Sequence, residues 1–154
     1  MNKDIKIFID DTRNPPEKHS TKDWIGFNKY MENPQDCKPT TWVLCESYDE
    51  FEKVVNKLLE LKEGWISEIS FDYILGHHSY TGASCFKLMA QTITKYGLSV
   101  PEKIYIHSEY PKAEQNFINP AMFLSRSLDY KEINLIHIHS NGKQTIINPF
   151  EYNK

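Results

Sequence analysis

IKIFIDDTR, residues 5–13, is the stretch that decides the fold. Ile5, Ile7 and Ile9, with Phe8 among them, make a short β-branched and aromatic run that reads as a buried strand. The run ends abruptly in two adjacent carboxylates, Asp10 and Asp11. In an open α/β sheet, ligands bind beyond the C-terminal ends of the strands, where the departing loops diverge and leave a crevice. Two carboxylates in such a crevice repel one another unless a divalent cation or a basic group sits between them. Arg13 is the nearest cation along the chain. The competing reading is that Asp10 or Asp11 caps a turn or the next helix.

Working outward, residues 12–39 carry Pro15, Pro16, Pro34 and Pro39 among polar residues. They read as a long irregular connection, with one helical turn around residues 24–30 and Trp24, Phe27 and Tyr30 to pack it. A second strand is predicted over residues 41–45. Ser47 then reads as an N-cap, with Glu50 completing a capping box. The helix it opens runs to about Lys62, striped by Phe51, Val54, Val55, Leu58, Leu59 and Leu61, and Gly64 stops it. The third strand, ISEISFD over residues 66–72, again ends in an acid, Asp72. A loop with Gly76, His77, His78 and Gly82 leads to a helix over residues 83–97. KIYIHS, residues 103–108, is a fourth strand ending in His107 and Ser108. A further helix over residues 113–128 is expected to be interrupted near Pro120. In the tail, residues 133–139 and 144–147 flank Asn141-Gly142, a strong hairpin signal.

Strands alternating with helices imply a mainly parallel sheet covered on both faces, with the hairpin at one edge or packed as a lid. If the first, third and fourth strands are neighbours, Asp10, Asp11, Asp72, His107 and Ser108 meet at one end.

The chain of 154 residues is long enough for one domain with a core that needs no disulfide or metal to fold. Its 25% charged and 40% hydrophobic residues argue against wholesale disorder. A net charge of −3 argues against a broad nucleic-acid surface while leaving room for a small basic pocket. Cys37, Cys45 and Cys85 are odd in number and form no C-x-x-C, as expected of reduced thiols, with Cys45 and Cys85 in the core. MNKDIKIF is too short and polar for a signal peptide, and no apolar run approaches a membrane span, so a cytoplasmic protein without a membrane partner is expected.

IDDTRNPP, FDYILG followed by TGASCFKL, and IHSEYPKAEQNF, in this order, resemble the cyclic-phosphate processing receiver-like family, a branch of the receiver (response-regulator) fold. The resemblance spans roughly residues 5–117. It implies a receiver-like, flavodoxin-like three-layer α/β sandwich over residues 1–130. Residues 131–154 are then a C-terminal β-hairpin extension of the same domain. It also implies that Asp10, Asp11 and Asp72 hold a divalent metal, Mg²⁺ or Mn²⁺, with Arg13 beside them. His107 and Ser108 fall where phosphate is met or proton transfer assisted. Three departures stand out: Tyr73 and Ile74 replace a His and a second Asp of the family pattern, and Tyr110 replaces an Asn. Glu46 stands where a basic residue is expected.

Phosphoester hydrolysis needs charge neutralisation, donors for the phosphoryl oxygens and a group that moves a proton. Three carboxylates suit Mg²⁺ or Mn²⁺. Arg13 suits bidentate phosphate contact, Ser108 can orient phosphate, and His107 can act as acid or base. The plain alternatives are a buried, satisfied His107 and a Ser108 that only makes a strand-end hydrogen bond. His77 and His78 point apart in an extended segment, so joint metal ligation is awkward. His137 and His139 are read as neighbours on a surface strand. Two functions remain open. One is a metal-dependent phosphoesterase-like hydrolase acting on the cyclic phosphate of a nucleotide or RNA end. The other is a catalytically eroded receiver-like module that binds a phosphorylated ligand or a protein partner, with a phospho-accepting receiver as a variant.

Overall fold

Period-two alternation puts Ile5, Ile7 and Ile9 of strand β1 (Lys3–Ile9) into the core, each almost without exposure. The computed structural model describes residues 3–11, 42–73, 75, 80–107, 113–139 and 143–152. The other strands are β2 (Trp42–Cys45), β3 (Gly64–Phe71), β4 (Lys103–Ile106), β5 (Leu135–Ile138) and β6 (Gln144–Ile147). They form one sheet in the order β2-β1-β3-β4-β5-β6, with the first five parallel and β6 antiparallel to β5. The acid-ended strands β1 and β3 are therefore neighbours, and β4 lies beside β3. The hairpin extends the sheet at its edge, closed by His139 N–H donating to the Lys143 carbonyl at 2.9 Å. The Asn141-Gly142 turn lies outside the described residues, as do the proline-rich segment over 12–41 and Cys37.

Helices α1 (Tyr48–Leu61), α2 (Gly82–Tyr96) and α3 (Ala113–Ser127) pack side by side. They cover the face that carries Ile7, Ile9, Ile69, Phe71 and Ile106. Phe71 meets Phe86 of α2 at 5.3 Å and Phe117 of α3 at 5.6 Å between ring centroids, which fixes both helices over the middle of the sheet. Register places Lys6, Phe8, Glu68, Ser70, Lys103 and Tyr105 on the opposite face, where Lys6 pairs with Glu68 at 3.0 Å.

Several local expectations are corrected. Ser47 does cap α1, accepting from Glu50 N–H, but the Glu50 carboxylate accepts from Glu46 N–H at 2.6 Å rather than closing the box on Ser47. Lys62, not Gly64, takes the left-handed position that ends α1, and Gly64 already opens β3. The complete capping box is at α2, where Thr81 and Ser84 satisfy each other's backbone N–H groups. Helix α3 runs unbroken through Pro120, because Phe117, Ile118, Ala121 and Leu124 are buried on its inner face and their packing outweighs the missing N–H. His137 is not on a surface strand: it is 8% exposed, and its Nδ1 meets the Glu114 carboxylate of α3 at 2.6 Å. Its ring lies 4.2 Å from that of His139, as neighbours on one face should. Among the described residues no helix is long and apolar enough to cross a membrane.

Candidate metal centre

Backbone hydrogen bonds continue the parallel ladders one residue past the strands. Asp10 N–H donates to the Cys45 carbonyl at 3.1 Å, Asp72 N–H to Ile9 at 2.9 Å, and His107 N–H to Phe71 at 2.9 Å. These three bonds stitch the ends of β2, β1, β3 and β4 together and bring Asp10, Asp72 and His107 side by side. Carboxylate oxygens of Asp10, Asp11 and Asp72 lie within 4.8 Å of one another. Asp10 is 0% and Asp72 7% exposed, while Asp11 is partly exposed. Buried like charges this close are unfavourable unless countercharge or hydrogen bonds compensate.

Both buried acids are oriented by neighbours. Asp72 Oδ1 accepts the N–H of Tyr73 at 2.8 Å. Tyr73 is tied to the start of α2, where Gly82 N–H donates to its carbonyl at 2.8 Å. A side chain at Gly82 would overlap the Asp72 carbonyl oxygen outright, so the glycine of TGASCFKL is required by close approach. Tyr73 sets its ring edge-on to Phe117 at 6.3 Å, in the core margin.

Asp10 is met by His107, whose Nε2 lies 3.0 Å from Asp10 Oδ2. The Nδ1 of the same ring lies 2.5 Å from Ser70 Oγ, and the ring stacks on Phe8 at 4.3 Å with planes 10° apart. An ionised carboxylate only accepts, so in the neutral ring Nε2 carries the proton and Nδ1 accepts from the Ser70 hydroxyl. His107 is thus held on both sides, by Asp10 at Nε2 and by Ser70 at Nδ1.

The family model for the Cyclic-phosphate processing Receiver domain matches residues 5–123. This chain belongs to that family. The crystal structure of the receiver domain of the histidine kinase CKI1 from Arabidopsis thaliana, complexed with Mg²⁺ and BeF₃⁻, is similar to it, with 13% sequence identity and a TM-score of 0.45 over 79% of this chain and 75% of that one. No curated protein matches the chain. The mainly parallel sheet with helices and the order β2-β1-β3-β4-β5 constitute its receiver-like α/β fold.

Of the residues expected at the site, this receiver domain brings together Asp10, Asp11, Asp72 and His107. Arg13, Ser108, Ile74, His77, His78 and Tyr110 lie outside the described residues. Three hard oxygen donors with no sulfur or imidazole among them fit Mg²⁺ or Mn²⁺. Sequence reasoning missed Ser70 and Phe8. Strand alternation alone puts Ser70 on the face away from Ile69 and Phe71. That it stands beside Phe8 follows only from the β1–β3 register, which pairs Phe8 with Ser70.

Proposed function

We propose that this domain holds a divalent cation on Asp10, Asp11 and Asp72 and hydrolyses the cyclic phosphate of a nucleotide or RNA end. The observation that carries this reading is the convergence of three carboxylates at one end of the sheet, two of them buried, in a chain of the cyclic-phosphate processing family. Ring opening adds water to phosphorus and breaks one P–O bond to the sugar. The product is a phosphomonoester, and the departing sugar oxygen takes up a proton. A bound Mg²⁺ or Mn²⁺ would neutralise the phosphoryl oxygens and lower the pKa of the attacking water. The chain's own part is to fix that cation and to bind phosphate, with Arg13 and Ser108 proposed for the latter. Tyr80, half exposed and stacked on Tyr48 at 4.4 Å, sits in the loop before α2 at this end of the sheet. It offers an aromatic surface to a nucleobase.

One observation favours a second reading, a module that binds a phosphorylated ligand without turnover. His107, the proposed acid or base, has both ring nitrogens in hydrogen bonds to protein groups. The test is turnover of 2′,3′- and 3′,5′-cyclic nucleotides by the purified chain in Mg²⁺ or Mn²⁺, beside Asp10→Ala and His107→Ala. Hydrolysis is expected in the wild type and is expected to be lost in Asp10→Ala. Binding of the nucleotide with no product in any metal would favour the second reading.

A further inference from the structure

We infer that Ser70 and Phe8 are positioning residues for the metal centre, acting on Asp10 through the imidazole of His107. The inference rests on the cation-holding role proposed for Asp10.

An imidazole can flip by 180° about its χ2 axis at little steric cost, which exchanges ring nitrogens for carbons. It also has two neutral tautomers of similar energy. Only one of the four combinations turns an N–H toward Asp10 Oδ2 from Nε2. Asp10, an acceptor only, selects the Nε2–H tautomer, and Ser70 selects the ring orientation. With its Oγ 2.5 Å from Nδ1, the hydroxyl donates to that nitrogen, which disfavours the flipped ring that would set a carbon there. A flipped ring would set carbon against Ser70 Oγ and against the Asp10 carboxylate. The wrong tautomer would set a lone pair against it. Phe8, in register with Ser70 and nearly parallel to the imidazole, holds the plane of the ring.

Burial makes the arrangement stringent. Ser70 is 3% exposed and Asp10 0%, so an unmet polar atom here would pay a full desolvation cost. Holding Oδ2 fixes the rotation of the carboxylate about its Cβ–Cγ bond and with it the direction of Oδ1. Mutating groups that orient a metal-binding side chain in this way typically costs about 10–100-fold in metal affinity or activity. The Ser70 hydroxyl bonds His107 Nδ1, so its effect on Asp10 travels through the imidazole.

The experiment titrates Mn²⁺ into the purified full chain by calorimetry and records the ¹⁵N shifts of the His107 imidazole. The proteins are wild type, Ser70→Ala, the near-isosteric Ser70→Cys, and Ser67→Ala as a control on the same strand, where the hydroxyl contacts the Ile5 carbonyl instead. Ser70→Ala is expected to weaken Mn²⁺ binding roughly 10-fold, with Ser70→Cys between it and the wild type and Ser67→Ala unchanged. In Ser70→Ala the Nδ1 signal should move with loss of the hydroxyl donor, and both ring signals should broaden as the ring becomes free to flip. A folded Ser70→Ala protein with wild-type Mn²⁺ affinity and sharp, unbroadened ring signals would overturn the positioning role while leaving the metal centre standing. A wild-type protein that binds no Mn²⁺ would remove the metal centre itself, and the positioning role with it.

Discussion

A fully buried carboxylate is costly unless its charge is met; Asp10 meets part of that cost through His107, and on the proposed function a bound cation meets more of it. Mg²⁺ or Mn²⁺ should therefore stabilise the folded chain. At a cation concentration 100-fold above Kd the gain is about 2.7 kcal/mol, which for a domain of this size is a rise in Tm of roughly 5–10 °C. Thermal melts with and without the cation should show it in the wild type and not in Asp72→Asn; an equal rise in both proteins would place the cation elsewhere. The buried thiols behave differently. Burial pushes the Cys85 thiol up from its ordinary 9.0 to about 12, and burial, helped by the Glu50 carboxylate, pushes Cys45 well above that ordinary value too. Neither thiolate forms at neutral pH, so native protein treated with iodoacetamide at pH 8 should show no adduct on the Cys45 and Cys85 peptides. The sign for stability follows: the folded chain keeps the Cys85 proton between 9.0 and about 12 while an unfolded chain releases it. Stability is thus unaffected below that window and falls as pH rises through it.

Elements carry these residues into place, and two contacts between elements are open to test. Gly82, the first residue of α2, lies against the Asp72 carbonyl. Gly82→Ala should destabilise the chain by about 1–3 kcal/mol, the range for overpacking, and should shift Asp72 enough to weaken the cation-dependent rise in Tm. The Glu114 carboxylate joins α3 to the hairpin through His137, and Tyr152 donates to its other oxygen at 3.3 Å. Glu114→Gln should cost up to about 1.5–3 kcal/mol, the range for a hydrogen bond to a charged group. It should also speed hydrogen exchange in β5 and β6 ahead of β1. Much of this layout was legible in the chain. Ile5, Ile7 and Ile9 ending in Asp10, and the ISEISF run ending in Asp72, announced two strands with acids at their C-terminal ends. What could not be read was register and direction. His107 falls one residue past β4, so alternation puts it on the face of Lys103 and Tyr105; only the β1–β3–β4 pairing shows that Ser70 and Phe8 stand on that face beside it. Pro120 misled for a related reason. A local breaker was weighed without the packing of Phe117 and Leu124, which holds α3 together.

For the whole molecule, the parallel order of the strands matters more than any single contact, because it gathers the strand ends at one edge where their acids can act together. The opposite edge of the same strands carries no comparable cluster among the described residues. The fold alone fits a phospho-accepting receiver as readily as a hydrolase, since Asp72 stands beside Asp10 and Asp11 in either case. The all-oxygen donor set is common to both readings, and membership in the cyclic-phosphate processing family is what supports the proposed hydrolase. The most direct test is a ³¹P NMR time course of a 2′,3′-cyclic nucleotide mixed with the full chain and Mn²⁺, with EDTA added part-way. The proposed function predicts that the cyclic phosphodiester resonance gives way to a phosphomonoester, that EDTA halts the conversion, and that Asp10→Ala never begins it. A cyclic resonance that persists unchanged beside a protein shown to bind Mn²⁺, or a conversion that EDTA leaves untouched, would contradict it.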